Sequence, residues 1–147
     1  MQTKTTWPAF GLAMLLFAAG CGTDSWKAPL NTVHGTISVN GQPADGAIVR
    51  LHKHGEPVDL RKSTPFGLAD ADGSFLVSTY KYNDGCPVGE YAVTLEWPDK
   101  QTSADRLKGK YRRIDKPLME VTIESGSNEL PPIVIEEVGV SLPGKPQ

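Results

Sequence analysis

The feature that most restricts the fold of this sequence is a repeated alternation of apolar and polar residues in short runs. The clearest run, 91–97, has an aromatic or aliphatic side chain at every second position from Tyr91 to Trp97 and is followed by Pro98. Alternation with a period of two indicates a β-strand with one buried face. Equivalent runs predict six strands, at 33–40, 47–52, 74–80, 91–97, 118–124 and 133–138, and a short edge strand at 58–60.

Turn residues separate these runs, and no long stretch after residue 31 has a helical period. Asn40-Gly41 and Asp45-Gly46, for example, favour tight turns between the first two strands. We therefore predict one all-β domain over 32–138, a seven-stranded antiparallel β-sandwich with Greek-key connections. The remaining residues, 139–147, are expected to form a flexible tail.

The segment before the domain has the layout of a secretory signal. Lys4 precedes an apolar run, 7–19, that is shorter than the roughly 20 residues a transmembrane helix needs. Small residues, Ala18-Ala19-Gly20, directly precede Cys21, which resembles the lipobox of bacterial lipoproteins. The resemblance implies that 1–20 is removed and that Cys21 carries lipid, so the partner of this segment is a membrane. The alternative is a secreted protein without an anchor. Residues 21–31 are then the lipidated cysteine and its tether, with a reach of about 33 Å from Cys21.

Charge and cysteine content exclude several classes of function. The chain has 15 basic and 17 acidic residues, so no net positive field attracts nucleic acid. Once Cys21 is acylated, Cys86 is the second of only two cysteines and cannot form an intramolecular disulfide. We interpret Cys86 as a small buried apolar residue, with a reactive thiol as the alternative. Motifs for a serine nucleophile, a cysteine–histidine pair or a phosphate loop do not occur, so neither an enzyme nor a cofactor is expected.

The sequence contains three stretches, 35–51, 69–75 and 89–94, that carry a resemblance to a known family. They resemble the carboxypeptidase regulatory-like domain, which is a transthyretin-like (prealbumin-like) seven-stranded sandwich. The shorter stretches 78–80, 83–85 and 107–111 are similar to single-domain bacterial lipoproteins built on this fold. The resemblance implies an accessory domain for folding, docking or binding, without zinc ligands and without peptidase activity. Hydroxyisourate hydrolase, on a related fold, ends in Tyr-Arg-Gly-Ser, which 142–147 lacks.

Several residues are expected to have structural roles. Tyr91 begins the strongest strand, where a tyrosine corner would place its ring inside and its hydroxyl on a preceding backbone group. Trp97 is expected in the core. Asp70, Asp72 and Gly73 favour a β-turn with aspartate caps, although their spacing also resembles the start of a calcium loop.

The spacing of the histidines raises the possibility of a metal site. His52, His54 and Glu56 stand at alternate positions, which on an extended strand share one side, and His34 could add a fourth ligand. The alternative is that they are solvated side chains at the end of a strand. We favour the second interpretation and predict no metal.

The most basic local segment is a possible binding surface. Its residues are Arg106, Lys108, Lys110, Tyr111, Arg112 and Arg113. They could meet anionic lipid, acidic glycans or an acidic protein. The alternative is a solvated connection that Asp105 and Asp115 neutralise.

These observations together predict a non-catalytic lipoprotein of the bacterial envelope. It would be anchored in the cell membrane or outer membrane, face the periplasm or the exterior, and contact an envelope protein or glycan through loops at one end of the sandwich. One alternative is a carbohydrate-binding module that uses Tyr80 and Tyr82. Another is a metal-binding or hydrolase-like site at His52 and His54.

Overall fold

The part of the chain that the structure describes consists of β-strands joined by turns and loops. The computed structural model describes residues 1–2, 25–137 and 139–140. These residues contain no helix, and so none that is long and apolar enough to cross a membrane. Their nine strands are β1 (Thr32–Val39), β2 (Gln42–Pro43), β3 (Ile48–Lys53), β4 (Phe66–Leu68), β5 (Ser74–Ser78), β6 (Gly89–Glu96), β7 (Met119–Ile123), β8 (Ser127–Glu129) and β9 (Ile133–Ile135).

The strands form one continuous, mainly antiparallel sheet in the order β2-β1-β5-β4-β3-β6-β7. In addition, β8 and β9 pair with successive parts of β1, at Thr32 and at Ile37. The sheet curls around a single hydrophobic core, to which both its β1 part and its β6 part contribute. The fold is therefore an all-β, sandwich-like half-barrel.

The alternation in the sequence corresponds to burial in the structure. In β1, Val33, Ile37 and Val39 are at most 2% exposed and alternate with less buried residues, whereas in β6 Ala92 and Thr94 are buried along with Tyr91, Val93 and Leu95. In one part of the core a single large side chain takes the place of three: the ring of Phe75 occupies the space that side chains at Gly35 and Gly67 would otherwise fill. A Cβ on Gly35 would lie 2.6 Å from this ring, and a Cβ on Gly67 would lie 2.3 Å from it. The two glycines thus allow one large aromatic side chain to pack directly against the backbones of β1 and β4.

All six strand regions predicted from alternation contain a strand, but the short strands differ from the prediction. The edge strand expected at 58–60 is wrong: Asp59 accepts hydrogen bonds from the backbone N–H groups of Arg61 and Ser63, which makes a turn there. The short strand in this connection is β4, which follows directly after Pro65. The short strands β2 and β8 were not predicted, and the pairings of β8 and β9 with β1 are parallel, not antiparallel.

Part of the segment assigned to the tether packs against the domain. The backbone N–H of Ala28 donates to the Tyr80 hydroxyl at 2.9 Å, and the Trp26 and Tyr80 rings meet edge-on at 5.3 Å. Asn31 and Cys86 exchange two backbone hydrogen bonds. The chain is therefore held to the domain from Trp26 onward. Residues 3–20 of the predicted leader and Cys21 lie outside the described residues.

The direction of the strands places the tether and the longest connection at opposite ends. Four antiparallel pairings link β1 to β6, through β5, β4 and β3, so β1 and β6 run in the same direction. The tether joins the start of β1, whereas the connection to β7 leaves the end of β6. We call the first the tether end, which consists of 25–31, 54–65 and 79–88. The second is the distal end, which consists of 40–47, 69–73 and 97–117.

Candidate functional site

The outer face of β3 and β6, beside the distal connection 97–117, forms a groove of about 200 Å³. We call it the β3–β6 groove, and its lining includes Arg50, His52, Thr94, Glu96, Arg112 and Ile114. The alternation of side chains along β3 explains why polar residues line this groove. Val49 and Leu51 point into the core, so Arg50 and His52 lie on the outer face. The strand register then brings Arg50 opposite Thr94.

The walls of the β3–β6 groove carry an excess of positive charge. The Glu96 carboxylate contacts the guanidinium of Arg50 at 3.1 Å and that of Arg112 at 3.6 Å. Glu96 is mostly buried, at 18% side-chain exposure, whereas the two arginines are 40% and 57% exposed. One carboxylate cannot satisfy two guanidinium groups with five N–H donors each. Both arginines can therefore accept a second anionic partner from solvent.

The floor of the groove is neutral and polar. His52 Nε2 lies 2.9 Å from Thr94 Oγ1, and the Thr94 residue is only 4% exposed. Burial lowers the pKa of His52, and the nearby Arg50 charge lowers it further. Because its ordinary pKa is 6.5, His52 is uncharged at neutral pH. The groove thus offers hydrogen-bonding groups between two cations.

Sequence reasoning singled out His52 and Arg112 but missed Arg50, Thr94 and Glu96. These three residues are polar residues of β3 and β6, and both strands were identified from their apolar residues. The signal was present, because alternation that buries one set of residues places the other set together on the outer face. The sequence does not show that β3 pairs with β6, and this pairing is what brings the three residues together.

The basic segment is largely neutralised by acids, of which Asp99 and Asp115 are near in sequence and Glu96 and Glu137 are distant. Its ion pairs are Arg106–Asp99, Lys110–Glu137, Arg112–Glu96 and Arg113–Asp115. Tyr111 also donates to Glu137, and Lys108 is exposed with a φ of 53°. The Asp105 carboxylate accepts hydrogen bonds from the backbone N–H groups of Trp97, Leu107 and Gly109. The predicted role of Asp115 corresponds to its pair with Arg113.

The histidines do not assemble a metal site. His54 bonds Glu120 on β7 at 2.8 Å, and His34 lies 4.0 Å from Glu129. Glu56 is exposed in the loop beyond β3, because the strand ends at Lys53 and the alternation ends with it. Within the described ranges, no group of three His, Cys, Asp or Glu side chains could hold a metal ion. The structure therefore does not bring His52, His54 and Glu56 together.

The Asp70–Gly73 segment forms a closed turn at the distal end. The Gly73 N–H donates to the Asp70 carbonyl at 2.9 Å, and Asp72 accepts from the Ser74 N–H and hydroxyl. The Ser74 bonds lower the pKa of Asp72. Gly73 has a φ of 81°, and a Cβ there would lie 2.4 Å from the Ile37 carbonyl oxygen. Only glycine fits this position without movement.

The other residues singled out in the sequence are four aromatic side chains and Cys86, and their positions differ. Tyr91 is fully buried and donates its hydroxyl to the Pro87 carbonyl at 2.9 Å. Trp97 is 1% exposed and donates its indole N–H to the Asp45 carbonyl. Cys86 is buried, and burial raises its pKa to about 11. Tyr80 contacts the tether as described, whereas Tyr82 is 77% exposed.

No family model matches the sequence, and no curated protein is similar to it at a significant level. The resemblance to the carboxypeptidase regulatory-like domain therefore stays a prediction from the stretches named above. The all-β fold stands independently of it, on the strand order and the core.

Proposed function

We propose that this chain is a lipid-anchored, carboxypeptidase regulatory-like β-sandwich of the bacterial envelope that binds a partner without catalysing a reaction. Cys21 would hold it in the cell membrane or outer membrane, facing the periplasm or the exterior. Two or three acyl chains bind a bilayer firmly, whereas one binds only marginally.

The observation that carries this proposal is the separation of the tether end from the distal end. With the anchor at the start of β1, the end of β6 and the part of the β3–β6 groove lined by Glu96, Arg112 and Ile114 lie toward the distal end. An eight-residue strand such as β1 is about 26 Å long. The membrane would thus not block a partner from reaching the groove.

The groove favours a protein partner with an acidic side chain. A carboxylate would bond the exposed guanidinium N–H groups of Arg50 and Arg112, and the neutral His52 and Thr94 pair would accept or donate a further bond. Ile114, which is 55% exposed at the rim, offers an apolar contact beside them. Protein interfaces combine apolar contacts with complementary charges across the two surfaces.

Capture of envelope partners by the anchored protein tests this proposal. We expect chemical cross-linking in native envelopes to yield a defined partner that Arg112→Gln loses. Arg113→Gln is the matched control, because Arg113 belongs to the same segment but pairs with Asp115 outside the groove. Equal capture by the two variants would contradict the role of the groove. Fatty acid labelling that persists in Cys21→Ser would contradict the anchor.

A glycan is the second candidate, because one groove has an exposed aromatic lining. It measures about 250 Å³ and is lined by Phe66, Tyr80 and Tyr82. Phe66 and Tyr82 are 43% and 77% exposed. Sugar rings stack on such side chains, so binding on a glycan array that Tyr82→Ala abolishes would favour this candidate over the first.

A further inference from the structure

The tether end carries exposed apolar and basic side chains that the β3–β6 groove does not use. Leu60 and Tyr82 are 86% and 77% exposed, and Trp26 is partly exposed. We call this surface the tether face, and it consists of Trp26, Leu60, Arg61, Lys62, Lys81 and Tyr82. Trp26 and Leu60 also line an open groove of about 490 Å³. Exposed apolar surface rimmed by charged residues commonly marks a site of contact with a protein or a membrane.

Trp26 is fixed on the domain by two contacts. Its ring meets Tyr80 edge-on at 5.3 Å, and the Arg61 guanidinium lies 3.8 Å from its centroid. The cation stacks on the indole ring, and the adjacent Ala28 N–H bonds the Tyr80 hydroxyl. Trp26 therefore moves with the loops that carry Leu60 and Tyr82.

The position of Trp26 in the chain limits its distance from the anchor. Five residue steps separate Cys21 from Trp26. A chain of this length spans at most about 18 Å when fully extended. This is shorter than the length of β1, so the tether face is the part of the domain that remains nearest to lipid on Cys21.

In the two loops 54–65 and 79–88 the exposed charge is mainly positive, and the exposed acids Glu90 and Glu124 lie at the adjoining strand ends. Arg61, Lys62 and Lys81 are exposed. Two acids of the same loops bond the backbone instead, since Asp59 accepts from Arg61 and Ser63, and Asp84 accepts from three N–H groups of its own turn. Glu56 is the exposed acid among the residues described in these two loops. This distribution suits the negative headgroups of an anionic bilayer.

We infer that the tether face rests on an anionic lipid bilayer. Trp26, Leu60 and Tyr82 enter the headgroup region, where tryptophan and tyrosine are favoured. The three cations contact lipid phosphates. The orientation rests on the proposed lipid anchor, and it leaves the distal end pointing away from the membrane.

Quenching of Trp26 fluorescence by brominated lipid tests the orientation. The lipidated mature protein is reconstituted into vesicles of phosphatidylethanolamine and phosphatidylglycerol that contain the brominated lipid. Trp97 is the other tryptophan after removal of the leader, and it is buried, so a Trp26→Phe variant supplies its background. We expect strong quenching of Trp26 in the wild type.

The variants separate the apolar contribution from the charged one. Leu60→Asp combined with Tyr82→Asp should lose most of the quenching, whereas Ile114→Asp at the β3–β6 groove should keep it. Lys62→Glu combined with Lys81→Glu should reduce quenching in phosphatidylglycerol vesicles and leave it unchanged in phosphatidylcholine vesicles. An effect of Ile114→Asp as large as that of the tether-face variant would overturn the inference.

The state of Cys21 distinguishes the two proposals. Mass spectrometry of the reconstituted protein shows whether lipid is attached. Lipidated protein with an unquenched Trp26 refutes the orientation and leaves the anchor standing, and cross-linked dimers in that sample would assign the face to a second copy. Absence of lipid on Cys21 refutes both.

Discussion

The hydroxyl of Tyr91 allows the most direct test of how this fold is stabilised. Tyr91→Phe removes one oxygen atom from a side chain that is fully buried, and it leaves the Pro87 carbonyl without the bond that the hydroxyl donates at 2.9 Å. A typical hydrogen bond contributes about 0.5–1.5 kcal/mol, and an unsatisfied buried acceptor costs about 1–3 kcal/mol. Because the ring itself still fills its space, no cavity penalty is added. We expect a loss of about 1–2 kcal/mol in the free energy of unfolding.

Urea unfolding followed by tryptophan fluorescence measures this loss, in the Cys21→Ser form to avoid detergent. For a domain of this size, about 1 kcal/mol corresponds to a fall in Tm of roughly 4–8 °C. Tyr82→Phe is the matched control, because it makes the same chemical change on a side chain that is 77% exposed. Equal free energies of unfolding for the two variants would show that the Pro87 bond contributes nothing net.

Three further predictions follow from single positions. Gly73→Ala should cost more stability than Gly41→Ala, because both have a positive φ but only at Gly73 would the new Cβ meet a backbone oxygen, that of Ile37 at 2.4 Å; equal melting temperatures would contradict this. Burial lowers the pKa of His52 in the folded state, so the contribution of neutral His52 to the free energy of unfolding is present above pH 6.5 and is lost as the pH falls below it. The urea midpoint of His52→Gln should therefore fall less than that of the wild type when the pH is lowered below 6.5. Burial holds the pKa of Cys86 at about 11, so a thiol reagent at pH 8 should label it only on unfolding; rapid labelling of the native protein would show an accessible thiol.

The strands could be predicted where burial follows a period of two over several residues. Runs such as 91–97 bury three or four large side chains on one face, and this leaves little choice of register. The two-residue β2 and three-residue β8 are too short to show a period, and their existence depends on pairing with β1. The error at 58–60 has a local cause, since the Asp59 carboxylate competes for backbone N–H groups that a strand would need.

The candidate site could be predicted less well than the fold, because its partners are distant in sequence. The arrangement of His52, His54 and Glu56 followed from assuming that β3 continues past Lys53, and it fails where the strand ends. The pairing of Arg50 with Thr94 depends on a register that no local pattern encodes. Outward-facing positions can thus be identified from sequence, but their neighbours cannot.

The neutralisation of the basic segment explains why the β3–β6 groove is a better candidate than the segment as a whole. Lys110 and Arg113 each have a carboxylate of their own, so their charge is already balanced before any partner arrives. Arg50 and Arg112 share Glu96, which leaves one positive charge without a carboxylate in the groove. An incoming acid there gains a charge-assisted bond and does not have to break an ion pair. Binding of an acidic partner should therefore depend on Arg112 far more than on Arg113, although the two residues are adjacent in sequence and carry the same charge.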